Sequence, residues 1–380
     1  MRHSILAAAL LFFWLFPARL VAQTATAWPE ADHLFHTDPR WLGADAAYSV
    51  DLGSNRILWI FEETFLANPG SHSRRNAAFV HNTVAIQHGY NPAHAVIDFH
   101  WRTHRGHPTE IFPNEGPVWI WPDAGIRVAN SLIVFAERVI SDSHSGFKSD
   151  GWTAYLIRNP DADPSTWRPK KITTQHDTVL LASAIVPIGD FVYLFGQSEP
   201  EHDLYAARVP AQQLAAGHLD TLTWWNGHDW TGTRTTRQLL IHDAGTETSI
   251  QPDPITAGFL EINSQGYGAS DIVLRRAPAL TGPWSVPKII YRPPESDQPD
   301  PFVYAGKSHP ELRGADLILT YATNGFTDAT TDNLARYFPR FVRVTLSGLA
   351  RQTEPCPLPT AAPCSSYSSP ATSPSHSASD

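Results

Sequence analysis

Strand-like runs recur along the middle of the chain, and residues 28–350 give no convincing amphipathic helix. The first run spans 47–65. It reads as a strand, a polar turn at Gly53-Ser54-Asn55, and a second, more apolar strand. Similar units stand at 126–139, turning at Asn130-Ser131, and at 184–198, turning at Gly189-Asp190. Two more stand at 258–274, with 263–268 between the strand candidates, and at 309–324, turning at Arg313-Gly314-Ala315. Only 210–217, PAQQLAAG, has helix-forming composition, and it is short. The units are spaced by about 60 residues, a weak self-similarity of the kind that marks propeller blades. The pattern predicts an all-β fold, a five-bladed β-propeller over 28–350 with no sequence left over. A β-sandwich is the next candidate. A TIM barrel is disfavoured because its helices are missing.

The two ends do not read as fold. Arg2 and His3 precede an apolar run over 5–16, ended by Pro17 and followed by small residues at Ala18, Ala22, Ala25 and Ala27. That order is the one found in a secretory signal, with cleavage expected after Ala22. The run falls short of the roughly 20 apolar residues that span a bilayer. The mature chain is therefore expected to be secreted or periplasmic, with no stable membrane insertion. Cleavage removes Arg2 and Arg19 and takes the formal charge from −9 to −11. From residue 351 the composition changes again. Half of 365–380 is serine, and such a segment buries nothing that offsets chain entropy, so 351–380 reads as a disordered tail. Cys356 and Cys364 stand just before the serine-rich stretch. In an oxidising compartment they form either a small loop-closing disulfide or two free thiols.

Composition narrows the function classes. Charged residues are 17% of the chain, with 13 Trp and 32 Pro but two Cys. The acidic balance excludes the basic stripe that nucleic acid requires. Two cysteines exclude a disulfide scaffold and a four-thiolate zinc site. No phosphate-cradling glycine loop and no G-x-S-x-G elbow occurs. His100, His104 and His107 have a spacing that could ligate zinc, but they lack the H-E-x-x-H helix and their flanking residues suggest a loop, so no metal site is assigned.

A propeller gathers the starts of its inner strands around one central pocket, so acids set in apolar strands are the candidates for chemistry. Asp45 precedes the first strand. Glu62 and Glu63 end the next, where strict alternation would put them on opposite faces. A carboxyl among aromatic residues has a raised pKa, which suits a general acid, and an ionised carboxylate nearby would supply the base. The competing reading is an acid at a strand end that accepts backbone N–H groups. Glu137 also ends an apolar strand and could reach the same pocket, although Arg138 beside it makes a surface salt bridge equally plausible. Glu115 is a further candidate. Trp119 and Trp121 offer faces for sugar rings, or are simply core. Arg75, His81, Asn82, His309 and Asn324 are candidates for hydrogen bonding to hydroxyls, with solvated loop positions as the plainer reading. Clustered carboxylates of this kind would attract calcium, but nothing in the sequence requires a cofactor.

These residues resemble a family. GADAAYSV, LWIFEETF and HNTVAI, with TGPWSVPKIIY and SHPEL later, look like secreted bacterial five-bladed propeller proteins of the arabinanase-like glycosidase group. Within that group they are most similar to a once-uncharacterised family associated with endo-D-arabinanase activity. The resemblance covers about 38–346. It implies that Asp45 matches an acid before the first strand. It also implies that Glu63 matches the aspartate of a phenylalanine-glycine-aspartate-threonine-phenylalanine motif, with Phe61, Thr64 and Phe65 around it. Here Glu62 replaces the glycine and Glu63 the aspartate. The longer acid moves its oxygens by about one methylene, and catalysis tolerates little misplacement.

The expectation is a secreted glycoside hydrolase that cleaves a polysaccharide or oligosaccharide, with arabinofuranose-containing chains among the candidates. Glu63 would be the acid and Asp45 the base or nucleophile. The resemblance implies inversion. The alternative is a non-catalytic carbohydrate-binding propeller, motivated by the Glu62-Glu63 departure. A protein-interaction propeller is a third reading.

Overall fold

The computed structural model describes residues 22–347, apart from Tyr267 and 326–328. The expected signal, but for its last residue, and the expected tail, with Cys356 and Cys364, lie outside the described residues. Five antiparallel sheets of at least four strands follow one another along the chain. Blade 1 comprises Tyr48–Gly53, Arg56–Phe61, Thr83–His88 and Val96–His100. Blade 2 comprises Trp119–Val128, Ser131–Asp142, Gly146–Ile157 and Lys170–Gln175. Blade 3 comprises Val179–Ile188, Phe191–Ser198, Leu204–Pro210 and Thr223–Trp225, extended by Trp230–Thr231. Blade 4 comprises Thr248–Pro252, Phe259–Gln265, Asp271–Ala277 and Lys288–Tyr291. Blade 5 comprises Phe302–Ser308, Leu317–Asn324 and Arg340–Ser347. Its fourth strand is Ala22–Ala27 from the other end of the chain, paired antiparallel with Arg340–Ser347. The molecule is a five-bladed β-propeller.

Hydrophobic patterning explains the ring. Second strands such as RILWIF are apolar on both faces because both faces are buried. Ile57, Trp59 and Phe61 pack towards blade 5, with Phe35, Ile318 and Phe341. Leu58 and Ile60 pack towards blade 2, with Ile120, Leu132 and Val134. Three further cores fill the interfaces of blades 2 and 3, 3 and 4, and 4 and 5. Five interfaces for five blades is a closed ring, and the paired terminal strands lock it. Inner strands of all five blades line a cavity on the axis, through Ser49, Gly125, Ser183, Ser249 and Ser308 among others.

The expected units match the blades unevenly. The first three lie on the first two strands of blades 1 to 3. The turn after Gly53 places Ser54 and Asn55 at φ 54° and 63°, as a two-residue hairpin of right-handed twist requires. The unit at 258–274, however, holds the second and third strands of blade 4, because the polar inner strand Thr248–Pro252 gave no apolar signal. The unit at 309–324 likewise misses its inner strand, Phe302–Ser308, and begins in the following loop. The sequence between the blades is also used. Trp41–Ala44, Thr64–Leu66 and Ala78–Val80 form a small three-stranded sheet beside blade 1, and Arg102–His104 pairs with His107–Thr109. The short helix is Ala211–Ala216, stopped by Gly217 at φ 87°.

Candidate active site

Asp45 stands between Trp41–Ala44 and the inner strand of blade 1. The chain turns there through two consecutive left-handed alanines, Ala46 at φ 61° and Ala47 at φ 59°, an unfavourable backbone for residues with a Cβ. The turn is held from outside. The ammonium of Lys307, on the inner strand of blade 5, donates to the Ala46 carbonyl and, at 2.9 Å, to that of Ala305. Lys307 also lies 2.5 Å from Glu247, which directly precedes the inner strand of blade 4, and 4.5 Å from the centre of the Tyr48 ring. Asp45 itself is buried and accepts a 2.6 Å hydrogen bond from the Tyr304 hydroxyl.

Glu62 and Glu63 do not continue the blade strand as alternation predicted. The strand ends at Phe61, and the chain bends before Thr64–Leu66. Both carboxyls lie near enough to Asp45 for each to feel its charge. Asp123 joins them from a bulge in the inner strand of blade 2, where the register shifts between Pro122 and Gly125. Glu137, paired opposite Trp121, adds a further acid next to another register shift.

Burial without matching cations sets the electrostatics. Asp45 is pushed up to about 6, chiefly by desolvation; the Tyr304 hydroxyl opposes the rise and Glu247 adds to it. Glu63 is pushed further, to about 8, by desolvation and then by the charge of Asp45, with Trp121 opposing. Asp123 is pushed up to about 8 by desolvation and Glu247, against Tyr48 and Lys307. Desolvation and neighbouring acids also hold Glu62 and Glu137 well above the carboxylate range. At neutral pH, Asp45 is thus largely ionised beside a largely protonated Glu63. Two carboxyls driven apart in this way can divide acid and base work.

Aromatic rings wall the acids. His81 stacks on Trp119 at 5.2 Å, with the rings within 4° of parallel. Phe65 packs on Tyr337 and on Phe79. Tyr337, whose pKa is raised chiefly by burial and then by the charge of Asp45, reaches the site from a loop clamped by Arg74. That buried guanidinium donates to the carbonyls of Leu42, Thr330, Asn333 and Arg336. Gly43, at φ 115°, lets the loop approach, since a Cβ there would sit 2.1 Å from the Tyr337 carbonyl oxygen.

The structure gathers Asp45, Glu63, Glu137, Trp119, Trp121 and His81 in one region. It separates others. Asn82 is fully buried; its amide donates to the Phe112 and Ile120 carbonyls and accepts from the Phe112 N–H, which makes it a clamp between segments and leaves no group for a ligand. Arg75 points to solvent and pairs with Asp332. His309 lies further along the axis, buried between Ser49 and Thr320, and desolvation keeps it neutral. Asn324 borders the pocket through Tyr304, but its side-chain oxygen already accepts from Gly325 and Thr330. Glu115 is bound in a network with Arg138 and Lys171. Arg138 therefore belongs to that network, and Glu137 is left to the pocket.

Four contributors escaped the sequence reading: Asp123, Glu247, Tyr304 and Tyr337. Asp123 did carry a signal, a lone acid before Ala-Gly in an apolar strand. Glu247 was missed with its strand. Among the described residues, no three His, Cys, Asp or Glu side chains form a group that could hold a metal ion, and no helix is long and apolar enough to cross a membrane.

A family model described as a domain of unknown function (DUF5005) matches residues 30–348. Among solved structures, the chain is similar to a protein of Bacteroides ovatus ATCC 8483 provisionally described as a hydrolase. The two share 16% identity over 85% of this chain and 90% of that one, with a TM-score of 0.68. It is also similar to a GH62 hydrolase in complex with xylotriose, at 11% identity over 80% of this chain and 93% of that one, with a TM-score of 0.48. An endo-arabinase of Bacteroides thetaiotaomicron VPI-5482 matches at 13% identity over 81% and 95%, with a TM-score of 0.44. At these identities the likeness is one of fold. No curated protein matches the sequence significantly.

Proposed function

Within the DUF5005 family, to which this chain belongs, we propose a glycoside hydrolase that works outside the cytoplasm on a polysaccharide or oligosaccharide. The observation that carries the reading is the carboxyl pair. Asp45, near 6, and Glu63, near 8, lie at the aromatic-walled end of the propeller axis, and the charge of Asp45 helps to raise Glu63. Glu63 enters the reaction protonated and gives its proton to the glycosidic oxygen as the bond to the anomeric carbon breaks. Asp45 enters ionised and takes a proton from the water that attacks that carbon, and Tyr304 holds it in place. Breaking the bond leaves Glu63 ionised and Asp45 protonated, and a proton exchange with solvent resets the pair. The resemblance of the first strands to arabinanase-like enzymes makes arabinofuranose-containing chains the first substrates to try. The leader-like opening of the chain supports export.

The test is sugar release from arabinans, xylans and arabinogalactans by the wild type, by Asp45→Asn and by Glu63→Gln. The reading predicts release by the wild type and a loss of at least a thousandfold in each variant, with the fold intact by circular dichroism. Binding without release from any of the chains would favour a carbohydrate-binding propeller.

A further inference from the structure

Phe79 and Phe147 stand out on the surface. Among the described residues they are the two most exposed Phe, Tyr or Trp side chains, at 45% and 48%. Both lie against the candidate site, from different blades. Phe79 is on Ala78–Val80 of the small sheet. Its ring centre is 6.1 Å from that of His81, which in turn stacks on Trp119. Phe147 is on the second hairpin of blade 2 and meets Trp121 edge-on at 4.8 Å. Trp119 and Trp121 are two residues apart on one strand, hence on one face and about 7 Å apart. The rings therefore form a row, Phe79, His81, Trp119, Trp121, Phe147, and Glu63 lies at Trp121 within it.

Both outer rings are held rather than loose. Phe79 pairs directly across from Phe65 in the small sheet, with ring centres 4.9 Å apart. Phe147 follows a hairpin tip in which the Asp142 carboxylate accepts from the N–H groups of His144 and Ser145 and from the Ser145 hydroxyl. Exposed phenyl rings lose hydrophobic stabilisation in the free protein. A fixed, partly apolar, flat surface is what the C–H face of a sugar ring can cover. The charge of the site restricts the sugar further. Glu247 is paired with the ammonium of Lys307 there, Glu62 feels the charges of Glu247, Asp45, Asp123 and Glu137, and Glu63 feels that of Asp45. A uronate would add anions to a region already too acidic to ionise fully.

We infer that Phe79 and Phe147 are the outer sugar-stacking positions of one aromatic groove, and that the groove takes an extended, uncharged glycan chain. The inference rests on the glycan reading of the site, but not on turnover. It assigns the affinity for long chains to two rings that lie outside the acid cluster.

The experiment uses the full chain carrying Glu63→Gln, so that ligands are not consumed. Tryptophan fluorescence and calorimetry follow binding of neutral arabino- and xylo-oligosaccharides of two to eight units, with oligogalacturonates of equal length as the acidic probe. Expected is an affinity that climbs with length for at least one neutral series and is at least tenfold weaker for the uronates. Phe79→Ala and Phe147→Ala should each weaken the longest chain about tenfold, with a loss that grows with chain length. Phe79→Tyr and Phe147→Tyr should restore it, which separates stacking from misfolding. Equal affinity in the alanine variants, no dependence on length, equal binding of uronates, or no binding of any chain would overturn the inference. Binding as expected, joined to a wild type that releases nothing, would sink the hydrolase reading and leave the groove standing.

Discussion

The Lys307 ammonium sits 2.5 Å from the Glu247 carboxylate, and both are buried where blades 4 and 5 meet the turn of blade 1. The pair fixes more than itself, because the same ammonium holds the left-handed Ala46 through its carbonyl. Taking one partner from a buried ion pair leaves an uncompensated charge and costs about 3–5 kcal/mol. Lys307→Met should lose that much in urea unfolding, and adding Glu247→Gln to it should restore most of the loss. If Lys307→Met loses under 1 kcal/mol, the pair does not anchor the turn.

Raised pKa values give the pH dependence of stability a definite sign. A carboxyl that binds its proton more tightly in the folded chain contributes stability that is complete below the unfolded value, near 4, and is lost as pH climbs through the folded value. The window runs from about 4 to about 6 for Asp45 and to about 8 for Glu63 and Asp123. The melting temperature should therefore fall between pH 5 and pH 9. Glu62→Gln keeps the shape and removes a charge that burial and four neighbouring acids oppose. It should raise stability at pH 9, and by less at pH 5. A melting temperature that climbs with pH across this range would contradict the account.

Asn82, a hydrogen-bonding candidate by its sequence position, is a buried clamp. Asn82→Ala strips three hydrogen bonds from the interior and should cost roughly 2–4 kcal/mol in unfolding free energy. Any sugar affinity that survives folding should stay within twofold, as measured by titration at low temperature. A tenfold loss of affinity in a stable variant would return Asn82 to the binding residues.

How far the sequence could be read depends on where polar groups fall. Apolar second strands such as 56–61 announce themselves because neighbouring blades bury both faces, so blade number was legible. Inner strands are polar where they face the axis. That hid Thr248–Pro252 and with it Glu247, and it moved two units out of phase. Asp45 and Glu63 stood out as acids beside long apolar strands. The joint placement of Glu62 and Glu63 was not legible, because it depends on a chain bend that alternation cannot show. His81 and Asn82 are adjacent and looked alike, yet a one-residue step sends one to the aromatic wall and the other into the core. Tyr304 and Tyr337 act through contacts with Asp45 across some 260 and 290 positions of chain, which no local pattern encodes.

The Arg74 clamp predicts a loss of order at the pocket from a residue outside it. Three of its four carbonyl partners, on Thr330, Asn333 and Arg336, lie on the segment that leads to Tyr337, and the fourth is on Leu42. Arg74→Met would leave those carbonyls buried and unpaired, at about 3 kcal/mol or more. Hydrogen exchange should rise at 333–338 while the blade strands stay protected. Uniform protection would show the loop to be held by other contacts.

Tyr304 gives the sharpest test of the acid and base roles. Its hydroxyl donates to Asp45 at 2.6 Å and so favours the ionised carboxylate. Under the proposed roles, the rate of hydrolysis should follow a bell, falling below about pH 6 as Asp45 takes up a proton and above about pH 8 as Glu63 loses one. Tyr304→Phe removes the hydrogen bond and keeps the ring, so Asp45 becomes easier to protonate. The acidic limb should then move up by about one pH unit, and the rate at the optimum should fall roughly tenfold as the base loses its orientation. The alkaline limb should stay near 8, because Asp45 is still ionised there and still raises Glu63. Movement of the alkaline limb alone would exchange the two roles, making Asp45 the acid and Glu63 the base. An unchanged profile would remove Asp45 from the reaction.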